Sequence, residues 1–285
     1  MNLESLLLEY EAIIRLGFFM LAFIVVASWE IWMPRRELLI SKSRRWLNNL
    51  ALVVLNTIIL RLLFPTAAVG VALFTNDQTW GLFNYFVVSK PLAIILSIVI
   101  LDLVIYLQHV MFHAVPLLWR LHRVHHTDLD YDVTTGSRFH PIEIILSMLI
   151  KFAVILILGP PVVAVIIFEV VLNAMAMFNH GNIRLPKKAD QLLRFIIVTP
   201  DMHRVHHSIE ADETNSNFGF NLSCWDRVFG TYKQQPRLGH QDMVIGISTF
   251  RNEDECTGLK ALLLIPFIGG ANDYVINRRW RSKDK

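Results

Sequence analysis

The sequence predicts an all-α membrane protein, a polytopic helical bundle with a histidine-rich cap on its cytoplasmic side. Three observations support this fold class. Of the 285 residues, 54% are hydrophobic, and the mean hydropathy of +0.44 is too high for an ordinary soluble domain. Several apolar stretches reach the roughly 20 residues that a spanning helix needs, and histidines cluster at the ends of those stretches.

Four apolar regions define the predicted helices. We expect spanning helices at residues 12–33, 46–74 and 86–109. The fourth region, residues 142–178, is interrupted by Gly159-Pro160-Pro161. Because proline cannot continue a helix, this region is predicted to form a hairpin that enters and leaves the membrane on one side.

Two further helices are expected on the polar side of the hairpin. Thr199 and Pro200 have the residue types of a helix cap and first turn, and they come just before a second histidine-rich stretch. Residues 258–268 are apolar but too short to span, and we expect an interfacial helix there. The chain is therefore predicted to be one integrated domain with three parts: N-terminal transmembrane helices (1–90), a histidine-bearing region (91–240) and a C-terminal interfacial tail (241–285).

Charge predicts the orientation of the bundle. Five Lys and Arg residues lie between positions 35 and 45, and the tail carries Arg278, Arg279 and Arg281. Basic loops favour the cytoplasm, so two more crossings and the hairpin bring every histidine group to that side. We expect a multi-pass protein of a bacterial inner membrane or the endoplasmic reticulum, with its histidines facing the cytoplasm.

The composition argues against several classes of function. The two cysteines, Cys224 and Cys256, form no CxxC motif, so neither a disulfide framework nor a thiolate metal site is expected. The net charge is only +3, and the basic residues lie at the edges of apolar stretches, as expected beside lipid headgroups. We therefore expect no nucleic-acid partner.

The string HRVHH occurs twice, at residues 122–126 and 203–207. On a helix, positions i, i+3 and i+4 share a face, and imidazole is a ligand for zinc, copper, iron and nickel. His109 and His113 form a further pair four residues apart, and His180 follows the predicted hairpin. Nine candidate ligands result: His109, His113, His122, His125, His126, His180, His203, His206 and His207. They exceed the roughly six positions around one ion, so we expect two metal ions, completed by water, hydroxide or a carboxylate.

Four other residues are candidates for orienting a metal-bound imidazole. Asp102 lies seven residues before His109 on the same helical face, with a helix-packing contact as the alternative. Glu169 and Asn173 share a face with His180, and a carboxylate at that depth is costly unless it faces a polar interior. Glu169 is expected to be buried and either to support a ligand or to lie on a proton path, with a packing hydrogen bond as the alternative for both residues. His140 precedes a proline-initiated helix and is expected to support the site rather than to bind metal.

Three polar residues near these motifs are expected to lie outside the site. His240 stands alone among polar residues and is expected to be exposed to solvent. Arg123 and Arg204, inside the two HRVHH strings, would repel a cation at contact distance. Their expected partners are lipid headgroups or backbone carbonyls.

The order HxxxH, HxxHH, a lone histidine and HxxHH resembles the fatty acid hydroxylase superfamily, which includes sterol desaturases and sterol methyl oxidases. The resemblance covers roughly residues 95–235 and includes Phe139-His140-Pro141, Asn179-His180-Gly181 and the WDRVFGT run at 225–231. It implies a non-haem di-iron centre held by the nine histidines, in a catalytic region spanning residues 91–240. Such a centre uses O2 and electrons to hydroxylate or desaturate a C–H bond of a sterol or fatty-acyl lipid. A separate cytochrome, ferredoxin or reductase would supply the electrons.

Two other readings remain open at the level of sequence. Zinc in place of iron would make the protein a membrane lipid hydrolase that uses a metal-bound water as nucleophile. A divalent-metal transporter is disfavoured, because transport sites lie near the membrane midplane and these histidines are expected at one face.

Overall fold

A computed structural model describes residues 3–271 and 274–276 of the chain. The predicted all-α class is confirmed, since these residues form helices and a few isolated bridges but no strand. The helices are α1 Leu3–Glu9, α2 Glu11–Trp32, α3 Lys42–Leu63, α4 Ala67–Asp77, α5 Leu82–Tyr85, α6 Lys90–Ala114, α7 Pro116–His126, α8 Pro141–Leu158, α9 Val162–Asn179, α10 Lys187–Leu193, α11 Pro200–His206, α12 Ala211–Thr214, α13 Cys224–Val228, α14 Gly239–Asp242, α15 Glu253–Cys256 and α16 Leu259–Leu264.

Five segments within the described ranges are long and apolar enough to cross a membrane. They are α2, the segment Lys42–Tyr85, α6, α8 and α9. Large apolar side chains point outward along them, such as Ile24 on α2, Ile58 on α3 and Ile95 on α6, which are 56%, 52% and 60% exposed. Such continuous apolar surface fits a lipid environment, and the chain is an integral membrane protein.

Two predicted helices begin or end at other residues than expected. The expected span 46–74 is two helices, because Pro65 follows the end of α3 and cannot continue it. The third span begins at Lys90 rather than at residue 86, since Val87 adopts a positive φ of 51° just before it. The hairpin forms as predicted: Gly159, with φ of 62°, ends α8, and α9 begins after Pro161.

The helix ends that carry the histidine motifs meet on one side of the bundle. α9 packs against α2, α4 and α6, and α6 packs against α7. At the end of α2, Glu30 Oε1 accepts hydrogen bonds from the backbone N–H groups of Val133 and Asn182, at 2.7 and 2.8 Å. These two residues follow α7 and α9 in the chain, so Glu30 ties three segments together at this end.

A buried ion-pair network holds the loop after α7. Arg45 is fully buried and donates to Asp128 at 2.8 Å and to Asp132 at 2.6 Å. Burial raises the pKa of Asp128, but the charges of Arg45 and Arg138 outweigh it and lower that pKa to about 2. The network therefore stays ionised at neutral pH and fixes the loop against α3.

The C-terminal segment covers α7. Leu262 and Ile265 pack against Leu52 and Val124. The expected interfacial helix is α16 with a following 3-10 turn, Ile265–Phe267, and it exposes Phe267. Residues 272, 273 and 277–285 lie outside the described residues, and with them the tail arginines Arg278, Arg279 and Arg281.

Candidate metal centre

Both HRVHH strings lie on short helices that begin with proline. α7 starts at Pro116 and ends with the first string at His126. α11 starts at Pro200, and the Thr199 hydroxyl accepts a hydrogen bond from Met202 N at 3.3 Å, as the cap prediction requires. The histidines of each string therefore project from a rigid turn of helix rather than from a loop.

The structure brings all nine predicted histidines together in two groups. Within each group, one ring nitrogen from every member lies within 4.8 Å of the others. The first group is His109, His113, His122, His126 and His206, and the second is His125, His180, His203 and His207.

Each HRVHH string contributes to both groups. His122 and His126, one helical turn apart, join the first group, whereas His125 between them joins the second. The other string does the reverse, with His206 in the first group and His203 and His207 in the second. Each short helix thus gives two histidines to one group and its third histidine to the other group. The spacing alone does not predict this arrangement.

Burial keeps these imidazoles neutral. None of the nine is more than 7% exposed. Loss of solvation lowers the pKa of His122 and of His180 to about 3. The same cause, with repulsion from neighbouring rings, lowers the pKa of His126 and His207 well below the usual value. A neutral imidazole retains a nitrogen lone pair, which a metal ligand requires.

Five of the rings are oriented through Nδ1 by a hydrogen-bond acceptor. In a neutral ring the Nδ1 proton then donates, and Nε2 is left with a free lone pair. The five pairs are His109 with Phe218 O (2.8 Å), His113 with Asn215 Oδ1 (3.1 Å), His122 with Glu143 Oε1 (2.6 Å), His180 with Ala176 O (2.7 Å) and His206 with Ser216 O (2.8 Å).

The free lone pairs point at one another. Nε2 of His109 and Nε2 of His122 are 3.1 Å apart, although Nδ1 of each ring already faces an oxygen acceptor. Two nitrogens bound to one cation at about 2.1 Å and at right angles also lie about 3 Å apart. In addition, both ring nitrogens of His126 and of His207 are buried without a hydrogen-bond partner among the described residues. The donor set therefore fits two cations.

Asp102 does not perform its predicted role as a support for a histidine. Its carboxylate accepts hydrogen bonds from Trp225 Nε1 at 2.8 Å and from Leu222 N at 3.2 Å. The alternative, a packing contact, is correct: the carboxylate anchors the 221–231 segment to α6.

Glu169 is buried as predicted, but neither Glu169 nor Asn173 contacts a histidine among the described residues, so the alternative of a packing contact describes them better. Glu169 binds Lys151 at 2.7 Å and Arg15 at 3.1 Å. The Asn173 amide donates to the Glu169 carbonyl. Both residues share a helical face with His180, but they lie two to three turns away along α9.

His140 lies outside both groups and caps α8. Its Nδ1 accepts a hydrogen bond from Ile142 N at 3.2 Å, and its Nε2 faces Leu263 O at 3.3 Å. In the first turn of the same helix, Glu143 contacts His122, a role that the sequence analysis missed. An acidic residue three positions after His140, at the start of an apolar run, was the available signal.

His240 is only 4% exposed, so the prediction of a solvent-exposed residue is wrong. Its Nε2 lies 3.6 Å from Asp201, which also pairs with Arg35, and burial lowers the pKa of His240 to about 3. The prediction for the two arginines is confirmed in part: Arg123 donates to three backbone carbonyls, whereas Arg204 donates to Gly181 O and also forms an ion pair with Asp201.

A cavity of about 310 Å³ extends from the histidines into the bundle. His109 and His122 of the first group and His125 and His203 of the second line its inner end. Most of the exposed wall surface is apolar, with side chains such as Phe19, Leu60 and Met148, and polar side chains from the same helices are interspersed among them. A long apolar molecule placed there would meet both groups at once.

Residues 94–231 match the family model of the fatty acid hydroxylase domain. An ornithine lipid hydroxylase from Rhizobium tropici is 31% identical over 157 residues, which cover 54% of this chain and 46% of that protein. Human alkylglycerol monooxygenase is 27% identical over 150 residues, covering 51% of this chain and 32% of the relative. The Xenopus tropicalis alkylglycerol monooxygenase is 29% identical over 150 residues, covering 51% and 31%.

The matched region spans less than half the length of each of these curated relatives. No solved structure matches the chain. The family match nevertheless contains all nine clustered histidines and the loops that orient them. The similarity of this chain to the fatty acid hydroxylase superfamily therefore lies in residues 94–231, the region that holds the two histidine groups.

Proposed function

We propose that this protein is a membrane-bound non-haem di-iron oxidoreductase that uses O2 and external electrons to hydroxylate or desaturate a lipid C–H bond. One observation carries the proposal. Two groups of neutral, buried imidazoles, with Nε2 lone pairs facing one another, line the inner end of an apolar cavity. The relatives, named as lipid hydroxylases and monooxygenases, support the same class of reaction.

The donor set favours iron over zinc. Zinc sites in proteins almost always have four ligands, and catalytic ones keep one of these for water. The first group offers five imidazoles, more than such a site uses. Iron bound by the two groups would supply the one-electron and O2 chemistry that amino-acid side chains lack.

The residues around the histidines have their own tasks in this proposal. Glu143 holds the proton of His122 on Nδ1, and the carbonyl of Phe218 does the same for His109. These contacts fix the direction of each Nε2 and increase its basicity. Phe112 and Phe139 line the cavity beside the histidines and exclude water from the reacting carbon.

Hydroxylation by O2 consumes two electrons and two protons and releases one water for each alcohol formed. We propose that a separate cytochrome, ferredoxin or reductase supplies the electrons. The basic loop between α2 and α3 lies on the same side of the bundle as the histidines, which supports the orientation toward the cytoplasm. The electron donor would then dock on the side of the bundle that holds the histidines.

The function can be tested by lipid mass spectrometry of membranes that contain the protein, a reducing system and 18O2. We expect one 18O atom in a hydroxylated lipid, or a lipid two hydrogens lighter. The His125→Ala variant should form neither product. A lipid product that forms equally without oxygen or reductant would instead identify a zinc-dependent hydrolase.

A further inference from the structure

A charged cluster lies at the end of the cavity opposite the histidines. Glu169, whose side chain is 3% exposed, contacts Lys151 Nζ at 2.7 Å and Arg15 Nη1 at 3.1 Å. Glu11 binds Arg15 from the other side at 2.7 Å. All four residues lie on helices that are candidates to cross the membrane. Charged groups at that depth are costly, and they mark binding sites or pathways when they face a cavity.

At this end of the cavity, the wall carries more cations than carboxylates. Three of the four charged residues line the cavity, namely Arg15, Lys151 and Glu169. Glu11 is not one of the described residues that line it. Two cations and one carboxylate therefore face the enclosed space at this end, whereas Glu143, the other carboxylate in the wall, lies beside His122. Lys151 has three N–H donors and its one described hydrogen bond is to Glu169, so donors remain for a ligand.

The distance from this cluster to the histidines can be measured along two helices, α8 and α9, which give similar values. Lys151 lies eight residues after Glu143, which contacts His122, and this separation along α8 corresponds to about 12 Å. Glu169 lies seven residues before Ala176, which contacts His180, or about 10 Å along α9. A saturated chain with carbon–carbon bonds of about 1.5 Å covers this distance in about eight to ten carbons.

We propose that Arg15 and Lys151 bind the anionic head group of an amphipathic lipid, whose hydrocarbon chain runs through the cavity to His109 and His125. This inference rests on the proposed function and names its substrate class. The ligand chemistry is an anionic oxygen group, either a phosphate or a carboxylate. The oxidised carbon then lies in the chain, about eight to ten carbons from the head group, and not in the head group itself.

The binding step can be tested apart from catalysis. The purified full-length protein in detergent is titrated with dodecyl phosphate, dodecanoate and dodecanol, and binding is followed by native mass spectrometry. We expect at least one anion to bind about tenfold more tightly than the alcohol of equal chain length. The stronger of the two anions identifies the source of the head group. Equal affinity for all three probes would overturn the proposal.

Variants distinguish a head-group site from a structural ion pair. Lys151→Met alone leaves Glu169 with one cation and can unfold the bundle. The double variant Lys151→Met/Glu169→Gln removes one charge of each sign and keeps the local balance. We expect it to retain its melting temperature but to lose the tenfold preference for the anion. Arg61→Met, at an exposed position at the end of α3, is the matched control and should keep the preference. A preference that survives in the double variant would contradict the assignment.

The proposed function and the head-group site fail in different ways. If the anion preference holds but no lipid is oxidised under any condition, the oxidoreductase proposal fails and the site remains. If lipid is oxidised only within a head group, or equally well by the double variant, the head-group site is wrong and the oxidoreductase proposal stands.

Discussion

The imidazole rings of His126 and His207 stack with their centroids 4.6 Å apart and their planes 18° from parallel, although they belong to different ligand groups. Each is the last residue of its HRVHH string. The two candidate metal positions therefore share a wall of packed imidazole.

The exchange of histidines between the strings gives a prediction about metal content. His126→Ala with His206→Ala removes two ligands from the first group although they come from different strings. We expect this variant to retain about one of two cations after dialysis against a chelator. His125→Ala with His206→Ala removes one ligand from each group and should weaken both sites. Identical metal retention in the two variants would count against the grouping.

Glu143 offers a test of how the ligands are oriented. Its Oε1 lies 2.6 Å from Nδ1 of His122 and accepts a hydrogen bond from it. Glu143→Ala should lower metal affinity about 10- to 100-fold, the usual effect of losing such a contact. Glu143→Gln retains an acceptor oxygen and should lose less. Competition with a metallochromic chelator measures both, and an unchanged affinity in the alanine variant would refute the role.

His140 should behave unlike the nine clustered histidines. Because its Nδ1 caps α8, His140→Ala should cost about 1 kcal/mol of unfolding free energy. Metal content per folded chain should be unchanged, since the ring lies outside both groups. Thermal unfolding and metal analysis of the same sample separate the two effects. Loss of a metal with no loss of stability would make His140 a ligand.

Gly136 supports the site because the space beside it is too small for a side chain. A Cβ added there would lie 2.4 Å from the backbone oxygen of Ala176, the acceptor for His180 Nδ1. Gly136→Ala should therefore displace that carbonyl, cost about 1–3 kcal/mol of stability and weaken the second metal position. Gly258→Ala, with open space around its Cβ, is the matched control. Equal stability and metal content in both variants would disprove the steric argument.

The sequence predicted that the nine histidines would cluster because they repeat with helical spacing, and it predicted the hairpin because Gly159-Pro160-Pro161 interrupts an apolar run. It could not predict which group each histidine joins, since that depends on how α7 and α11 face each other. The sequence analysis also selected Glu169, rather than Glu143, as the carboxylate that orients a histidine. Glu169 and Glu143 both lie within apolar helices, and only the packing of α8 against α7 places Glu143 beside His122.

The partners of Asp102 and of His240 are distant in the chain, which is why neighbouring residues did not identify them. Asp102 accepts a hydrogen bond from Trp225, more than a hundred residues later, and His240 contacts Asp201, which also pairs with Arg35. Residue spacing along one helix carries no information about such contacts.

The most direct test of the central claim is the metal content of the full-length protein purified without oxygen, measured by mass spectrometry of its elements. The two histidine groups predict two irons per chain, and fewer than two in His125→Ala. One zinc per chain, unchanged in that variant, would contradict the account.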